Sequence, residues 1–304
     1  MTKFFGVLVV ILLSLLTLDY FYFQNRQTKN YPLSEVMDYE LSKKTILDQN
    51  TTKKAEVTQK IVKQKQPLQK SNKPRLMIIM DDIATFDEAK KLKKLGFLVV
   101  PSIFPKTKDH PNTPKIAKMF KSIMIHLPLE ANSFPKPEIN TILTADTKEV
   151  VKNKLNKALK DFKNIVAINN HTGSKFTSDK KALKYLISLI EKRSYIFIDS
   201  KTSHKSKYVE IQRQKGRKIF HRDIFLDNIQ KISYIKTQIK KAVALAKKKG
   251  FAIAICHPHP ATFKALQKSK KLLKKVRLVD IDEIRYKRVK NTTKTTSRVK
   301  RGAI

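Results

Sequence analysis

The residues able to do chemistry in this chain are not scattered along it. Asp81 and Asp82, His126, His171, Asp199, His221-Arg222-Asp223 and His257 with His259 each follow directly on a short apolar run. Five of the seven histidines fall in such places. One Asp and two His form a ligand set suited to Zn²⁺ or a similar divalent ion, with a coordination position left for water. Such an ion lowers the pKa of its water to about 7 and polarises a carbonyl oxygen. A second Asp can then take a proton as general base, and a further His can give one to a departing group.

Taken singly, each piece has a plainer reading. Asp81-Asp82 could cap a helix beginning near Phe86, since Asp is a favoured N-cap. His126, in HLPLE, could be a core histidine, and His171, in NNHTGS, could sit in a polar turn shaped by Gly173. Asp199, in IDSKT, could cap the helix after it, and Arg222-Asp223 could be a buried ion pair. His257, in CHPHP, lies in a loop that its prolines stiffen. What these readings leave unexplained is that so many donors all stand at the ends of apolar runs.

Those runs fall at residues 75–80, 97–104, 122–125, 165–168, 195–198, 218–220, 251–255 and 276–279. Segments of helical period lie between them, for example Val151, Leu155, Ala158 and Phe162, or Leu183, Leu186, Ile187 and Ile190. Strands alternating with amphipathic helices imply parallel βαβ units. Seven to eight of them in about 210 residues predict an α/β fold, a distorted (β/α) barrel rather than an open doubly wound sheet. In such a barrel the carboxyl ends of all strands meet on one rim, where sites of this fold are built. No G-x-G-x-x-G or Walker-type loop follows any run, which argues against nucleotide binding.

Outside residues 74–286 the chain changes character. Residues 4–23 are uncharged and apolar up to Leu18, then end in Asp19 and the aromatic cluster from Tyr20 to Phe23. That length suits a membrane span of about 20 residues, and no small-residue cleavage pattern follows it. Residues 1–23 therefore read as a retained signal anchor, which places the domain on the periplasmic side of a bacterial inner membrane. The alternative is a cleaved signal and a soluble periplasmic protein. Residues 24–73, rich in Lys, Gln, Thr and Asn, read as a flexible linker, and residues 287–304 as a disordered basic tail. The chain carries 65 Lys plus Arg against 25 Asp plus Glu, a formal net charge of +40. The cations are mostly Lys, they are dispersed, and no nucleic-acid-binding signature accompanies them. They point to solvated faces and non-specific attraction to anionic envelope polymers rather than to nucleic acid. Cys256 is the single cysteine, so no internal disulfide can form.

The ordered segments MDDIA, HLPLE, NNHTGS, FIDSKT, HRDIFLDN and ICHPHP resemble the divergent polysaccharide deacetylase family of bacterial envelope proteins over residues 75–284. That resemblance implies a distorted barrel that removes N- or O-acetyl groups from an envelope glycan or peptidoglycan fragment with a divalent metal, Zn²⁺ foremost. It implies Asp81 as general base, Asp82 and His126 as metal ligands and His257 as the late catalytic histidine. The broader superfamily takes a third ligand from a second His shortly after the first. LPLEANS after His126 has none, so His171 is assigned in its place. Asp199, Arg222 and Asp223 would orient these groups. Ala84, Thr172, Lys201 and Cys256 stand where the family usually has Gly, Met, Arg and Gly. None removes a proposed ligand, and His259 is an extra candidate ranked below His257. The rival expectation is a non-catalytic envelope protein that keeps the metal and a glycan groove but turns nothing over.

Overall fold

The computed structural model describes residues 73–284. The expected anchor at 1–23, nearly all of the linker at 24–73 and the tail at 287–304 lie outside the described residues. Among the described residues, no helix is long and apolar enough to cross a membrane.

Eight strands form one parallel sheet: β1 (Arg75–Ile83), β2 (Val100–Ile103), β3 (Ile123–Leu129), β4 (Ile165–Thr172), β5 (Ile196–Ile198), β6 (Ile224–Phe225), β7 (Phe251–Cys256) and β8 (Arg277–Leu278). Their order is β5-β4-β3-β2-β1-β7-β6, with β8 paired to the first residues of β1. A single parallel bridge, Asp199↔His221, ties the end of β5 to the segment entering β6. The sheet thus curls round on itself, closed at that seam by one bridge rather than a full ladder. The helices between strands are α1 (Phe86–Lys94), α2 (Thr113–Ala117), α3 (Lys148–Leu159), α4 (Lys180–Lys192), α5 (Tyr208–Gln214), α6 (Ile232–Lys249), α7 (Pro260–Lys268) and α8 (Lys270–Leu273).

Strands buried on both faces read as continuous apolar runs, which is how they show in the sequence. Successive side chains still alternate between faces. In β1, Leu76, Ile78 and Met80 join the core under the helices, with Leu92, Leu186 and Ile239. Met77 and Ile79 face the other way, into an inner cluster with Val100, Met124, Ala167, Ile198, Ile253 and Ile255. Ile281 and Ile284, from a final 3₁₀ turn, complete that inner core.

Two local features bear on the site. Helix α1 is capped by Thr85, whose hydroxyl accepts from the Glu88 N–H while the Glu88 carboxylate accepts from the Thr85 N–H, a complete capping box. The capping duty considered for Asp81 and Asp82 is therefore filled by another residue. The sixth strand is also displaced from its expected position. Residues 218–220 are not a strand, and the pairing with β7 falls at Ile224 and Phe225, so His221-Arg222-Asp223 precede β6 instead of following it. The reason is the seam: the chain leaves β5 after one bridge and must cross before it can pair with β7.

Gly173, just beyond β4, has φ +92, and a Cβ there would lie 3.0 Å from Leu129 Cβ and 3.3 Å from Asn170 Nδ2. An L side chain meets both a disfavoured backbone angle and a crowded site. Gly173→Ala is predicted to destabilise the domain by about 1–3 kcal/mol in urea unfolding. An unchanged midpoint and slope would show that the loop relaxes freely.

Candidate metal centre

The inward column of each strand changes chemistry near its carboxyl end. Met77 and Ile79 are followed two residues on by Asp81, Val100 by Ser102, Met124 by His126, Ala167 by Asn169 and Ile255 by His257. Side-chain period alone thus delivers an apolar plug topped by a polar layer. The layer is real contact: Ser102 Oγ, His126 Nδ1 and Asp81 all meet the Asn169 carboxamide.

Asp82 would point away from this layer in a regular strand. The register of β1 against β2 shifts between Met80↔Pro101 and Ile83↔Ile103, so β1 holds one extra residue there. Asp82 sits at φ 60, a left-handed angle that Asp tolerates better than most residues. The bulge turns its carboxylate inward beside that of Asp81. Two further non-glycine residues with positive φ, Thr172 (φ 53) and Lys201 (φ 51), lie on the same rim. Strain of about 1–3 kcal/mol per such residue persists only where surroundings enforce it. Thr172 is enforced from both sides: its hydroxyl donates to Leu129 O at 2.7 Å, and its carbonyl accepts from Asn170 Nδ2 and Thr202 Oγ1.

The result is a tight triangle. Asp82 Oδ1 lies 3.1 Å from His126 Nε2 and 3.1 Å from His171 Nδ1, and the two ring nitrogens are 3.2 Å apart. Donors held about 2.1 Å from a tetrahedral ion are about 3.4 Å from one another. The three atoms therefore fit one face of such a coordination sphere with small adjustments. Burial disfavours the Asp82 anion, but hydrogen bonds from both imidazoles outweigh it and hold the carboxyl well below its usual range.

Asn169 prepares the donors. Its Oδ1 accepts from Ser102 Oγ at 2.6 Å and from His126 Nδ1 at 3.1 Å, and its Nδ2 donates to Asp81 Oδ1 at 2.8 Å and to Ser200 Oγ at 3.1 Å. With the amide so oriented, His126 keeps a proton on Nδ1, so Nε2, beside Asp82, is the nitrogen that would give up its proton to a metal. The parallel register His126↔Asn169 brings the pair side by side. His171 has no such partner: its Nε2 is buried without a hydrogen bond, and its ring packs against Phe104, centroids 4.9 Å apart. Burial raises the Asp81 carboxyl above its ordinary pKa, partly offset by the positive charge of His126 and His257 and by the Asn169 bond.

His257 has a different partner, Asp227. The Asp227 Oδ1 is 3.0 Å from His257 Nδ1, and its Oδ2 accepts from the His257 N–H at 2.7 Å and from Thr262 Oγ1 at 2.8 Å. Burial opposes charge on the ring, but the hydrogen bond and charge of Asp227, with Asp82 and Asp81 behind it, raise His257 to about 9. Asp227, His257 and His259 also lie close enough to share a cation. Both Asp227 oxygens are engaged by His257 and Thr262, an arrangement suited to orienting His257 as a proton donor.

The structure thus brings Asp82, His126 and His171 into direct mutual contact, with Asp81 3.7 Å from His126 and His257, just past the end of β7, near enough to feel both carboxylates. The groups expected to orient them divide. Arg222 donates to the carbonyls of Ser200 and Lys201, each at 2.7 Å, and stacks 3.6 Å over Phe225, whose ring lies against His257. Through Ser200 and Phe225 it reaches both halves of the site. Asp199 accepts from Ser206 Oγ and Lys201 N and shapes that loop without meeting a donor residue. Asp223 accepts from Ile253 N and pairs with Lys249, so it fastens β6 to β7 and α6. Cys256 is fully buried, its thiol donating to Ile79 O and pushed well up in pKa by burial. It points away from the donors. Asn169 and Asp227 are the two participants that sequence reading passes over.

A curled parallel α/β sheet carrying Asp and His donors at its carboxyl-end rim is the architecture of a polysaccharide deacetylase-like domain. The chain belongs to the divergent polysaccharide deacetylase family, whose sequence profile matches residues 78–284. Among curated proteins it is 33% identical over 147 residues to an uncharacterized protein of Haemophilus influenzae, covering 48% of this chain and 52% of that one. It is also 33% identical over 145 residues to the uncharacterized protein YibQ of Escherichia coli K12, covering 48% and 46%. The chain spans about half the length of the curated relatives it matches. Among solved structures, an uncharacterized protein from Agrobacterium tumefaciens shares the fold with a TM-score of 0.62 at 19% identity, over 70% of this chain and 88% of that one.

If Asn169 sets the His126 tautomer, Asn169→Ala will weaken Zn²⁺ binding about 10- to 100-fold in chelator-competition titrations. Unchanged affinity would remove Asn169 from that role.

Proposed function

We propose that this protein is a metal-dependent hydrolase that removes acetyl groups from an envelope carbohydrate. The observation that carries the reading is the Asp82–His126–His171 triangle with a second carboxylate, Asp81, against His126 and a histidine paired with Asp227, His257, close to both acids. Asp82, His126 and His171 would hold the ion, and Zn²⁺ suits this donor set best. A divalent ion there supplies Lewis acidity toward an acyl oxygen and toward water. Asp81, its pKa raised by burial and its Oδ1 fixed by Asn169, takes the proton from the attacking water. His257, charged through Asp227, gives a proton to the departing sugar amine or hydroxyl. Phe225 and Thr262 keep that pair in place, the one stacked on the ring and the other bonded to the carboxylate. The substrate class, an acetylated glycan or peptidoglycan fragment, follows from the family. We further propose that the domain works in the periplasm, tethered to the inner membrane by residues 1–23, on the strength of their apolar run.

Acetate release from acetylated chitooligosaccharides and peptidoglycan fragments tests the reading. Wild type should release acetate, and Asp81→Asn should lower kcat at least ~100-fold, in the range expected for loss of a general base. Equal rates would remove Asp81 as base; no release from wild type, with glycan still bound, would make the domain a binding module. The same assay has a pH arm. A His257 raised to about 9 stays protonated through neutral pH, so activity should persist to that point and fall above it. Asp227→Asn should move the alkaline limb down toward the ordinary histidine value of about 6.5. The stability linked to the pair has the same sign: fully present below about 6.5 and lost as pH rises through about 9. An alkaline limb that stays put in Asp227→Asn would break the link between that carboxylate and the acid.

A further inference from the structure

Among the described residues, the exposed large apolar side chains are Phe86, Phe134, Leu143, Val150 and Ile229. Single exposed apolar residues are ordinary on any surface. Phe134 differs from the others in place and in restraint. It is 44% exposed, and its ring stands 5.9 Å from that of His171, at 82° to it. A half-open phenyl ring therefore stands beside His171 of the donor set.

The loop that carries it, between β3 and α3, is tied down at both ends. On the near side the Glu130 carboxylate accepts from Lys175 Nζ at 2.7 Å and from Thr144 N and Oγ1 at 2.8 and 2.7 Å, and Asn132 N donates to Ser174 Oγ at 3.0 Å. On the far side Glu138 meets His110 Nε2 at 3.1 Å. The His110 ring lies flat on Phe104, 4.6 Å away, and Phe104 in turn presents its ring to His126 and His171 at 5.4 and 4.9 Å. Pro135 and Pro137 bracket the tip and narrow the backbone angles of Phe134 and Lys136. The loop is thus indexed to the donor set itself, and an aromatic ring presented on it loses little further freedom when something lands on it.

We propose that Phe134 is the platform on which the pyranose ring bearing the scissile acetyl group stacks. The axial C–H bonds of a β-linked pyranose make one ring face apolar, and a phenyl face beside the reacting centre matches it in size and polarity. The chain contains no Trp, so the flat apolar surface at this rim falls to phenylalanine. The proposal rests on the deacetylase reading for which sugar carbon is addressed, but not for whether a sugar binds. Phe134 is a specificity residue and takes no part in proton transfer or ligation.

The test uses the purified full chain loaded with Zn²⁺ and two substrates: N-acetylated chitooligosaccharide, and para-nitrophenyl acetate, which has no sugar to stack. Phe134→Ala should raise KM for the oligosaccharide about 3- to 10-fold, the range of an aromatic contact, with kcat nearly unchanged. Turnover of the small ester should stay at the wild-type rate. Phe134→Trp should keep the low KM and, as the only Trp in the chain, change its fluorescence saturably with added oligosaccharide. That second readout needs no catalysis. Saturable fluorescence without acetate release would uphold the platform while the deacetylase reading falls. Oligosaccharide turnover with an unmoved KM in Phe134→Ala would overturn the platform and leave the deacetylase reading standing. Equal losses on both substrates would also overturn it, showing a merely structural residue, as would the absence of both turnover and fluorescence change.

Discussion

One carboxylate oxygen and two imidazole nitrogens lie within 3.2 Å of one another at the carboxyl-end rim of a curled parallel sheet whose inner face is apolar. Each of the three points a potential ligand atom toward the same small volume. Such an arrangement is stable only when positive charge sits among the donors, as shared protons or as a metal ion. The rest of the rim is organised around this demand. Asn169 spends all of its hydrogen-bonding capacity on turning His126 and Asp81 the right way, Ser102 and Ser200 hold Asn169, and Arg222 holds the Ser200 backbone. Asp227 does for His257 what Asn169 does for His126, but with the opposite electrostatic result. A neutral amide leaves the ring nitrogen free to bind a cation, whereas a buried carboxylate keeps the ring protonated.

The scaffold meets the demand with few devices. Parallel strands send every second residue inward, so a column that is apolar at one end can become polar at the other without disturbing the helix-facing core. Only one donor is out of step with that alternation. Asp82 reaches the site because β1 carries an extra residue and accepts a left-handed angle. The positive-φ residues of the rim lie at the ends of β1, β4 and β5, where the chain turns away from the sheet immediately after delivering its side chain.

Much of this is legible in the sequence because buried parallel strands announce themselves as apolar runs and the site residues follow them. The parallel α/β sheet and the gathering of Asp82, His126 and His171 at one rim could be read in that way. The Thr85-x-x-Glu88 capping signature is equally plain, and it frees the two acids from capping. Other parts depend on facts that no local pattern holds. Asn169 looks like a turn residue until β3 and β4 are aligned with His126 opposite it. Asp227 is hidden because β6 is only two residues long, too short to leave a run or a period. The same shortness displaces His221, Arg222 and Asp223 to the wrong side of their strand, and sends Asp223 to Lys249 instead of the rim. The orienting role thus passes from Asp199 and Asp223 to Asn169 and Asp227, and only Arg222 keeps a link to the site.

The most direct measurement is an anomalous difference map from crystals of the protein grown with Zn²⁺ and collected on both sides of the zinc absorption edge. A single strong peak should appear within about 2.0–2.2 Å of Asp82 Oδ1, His126 Nε2 and His171 Nδ1. A peak bound instead by Asp227, His257 and His259, or none at saturating Zn²⁺, would contradict the assignment of the three donors.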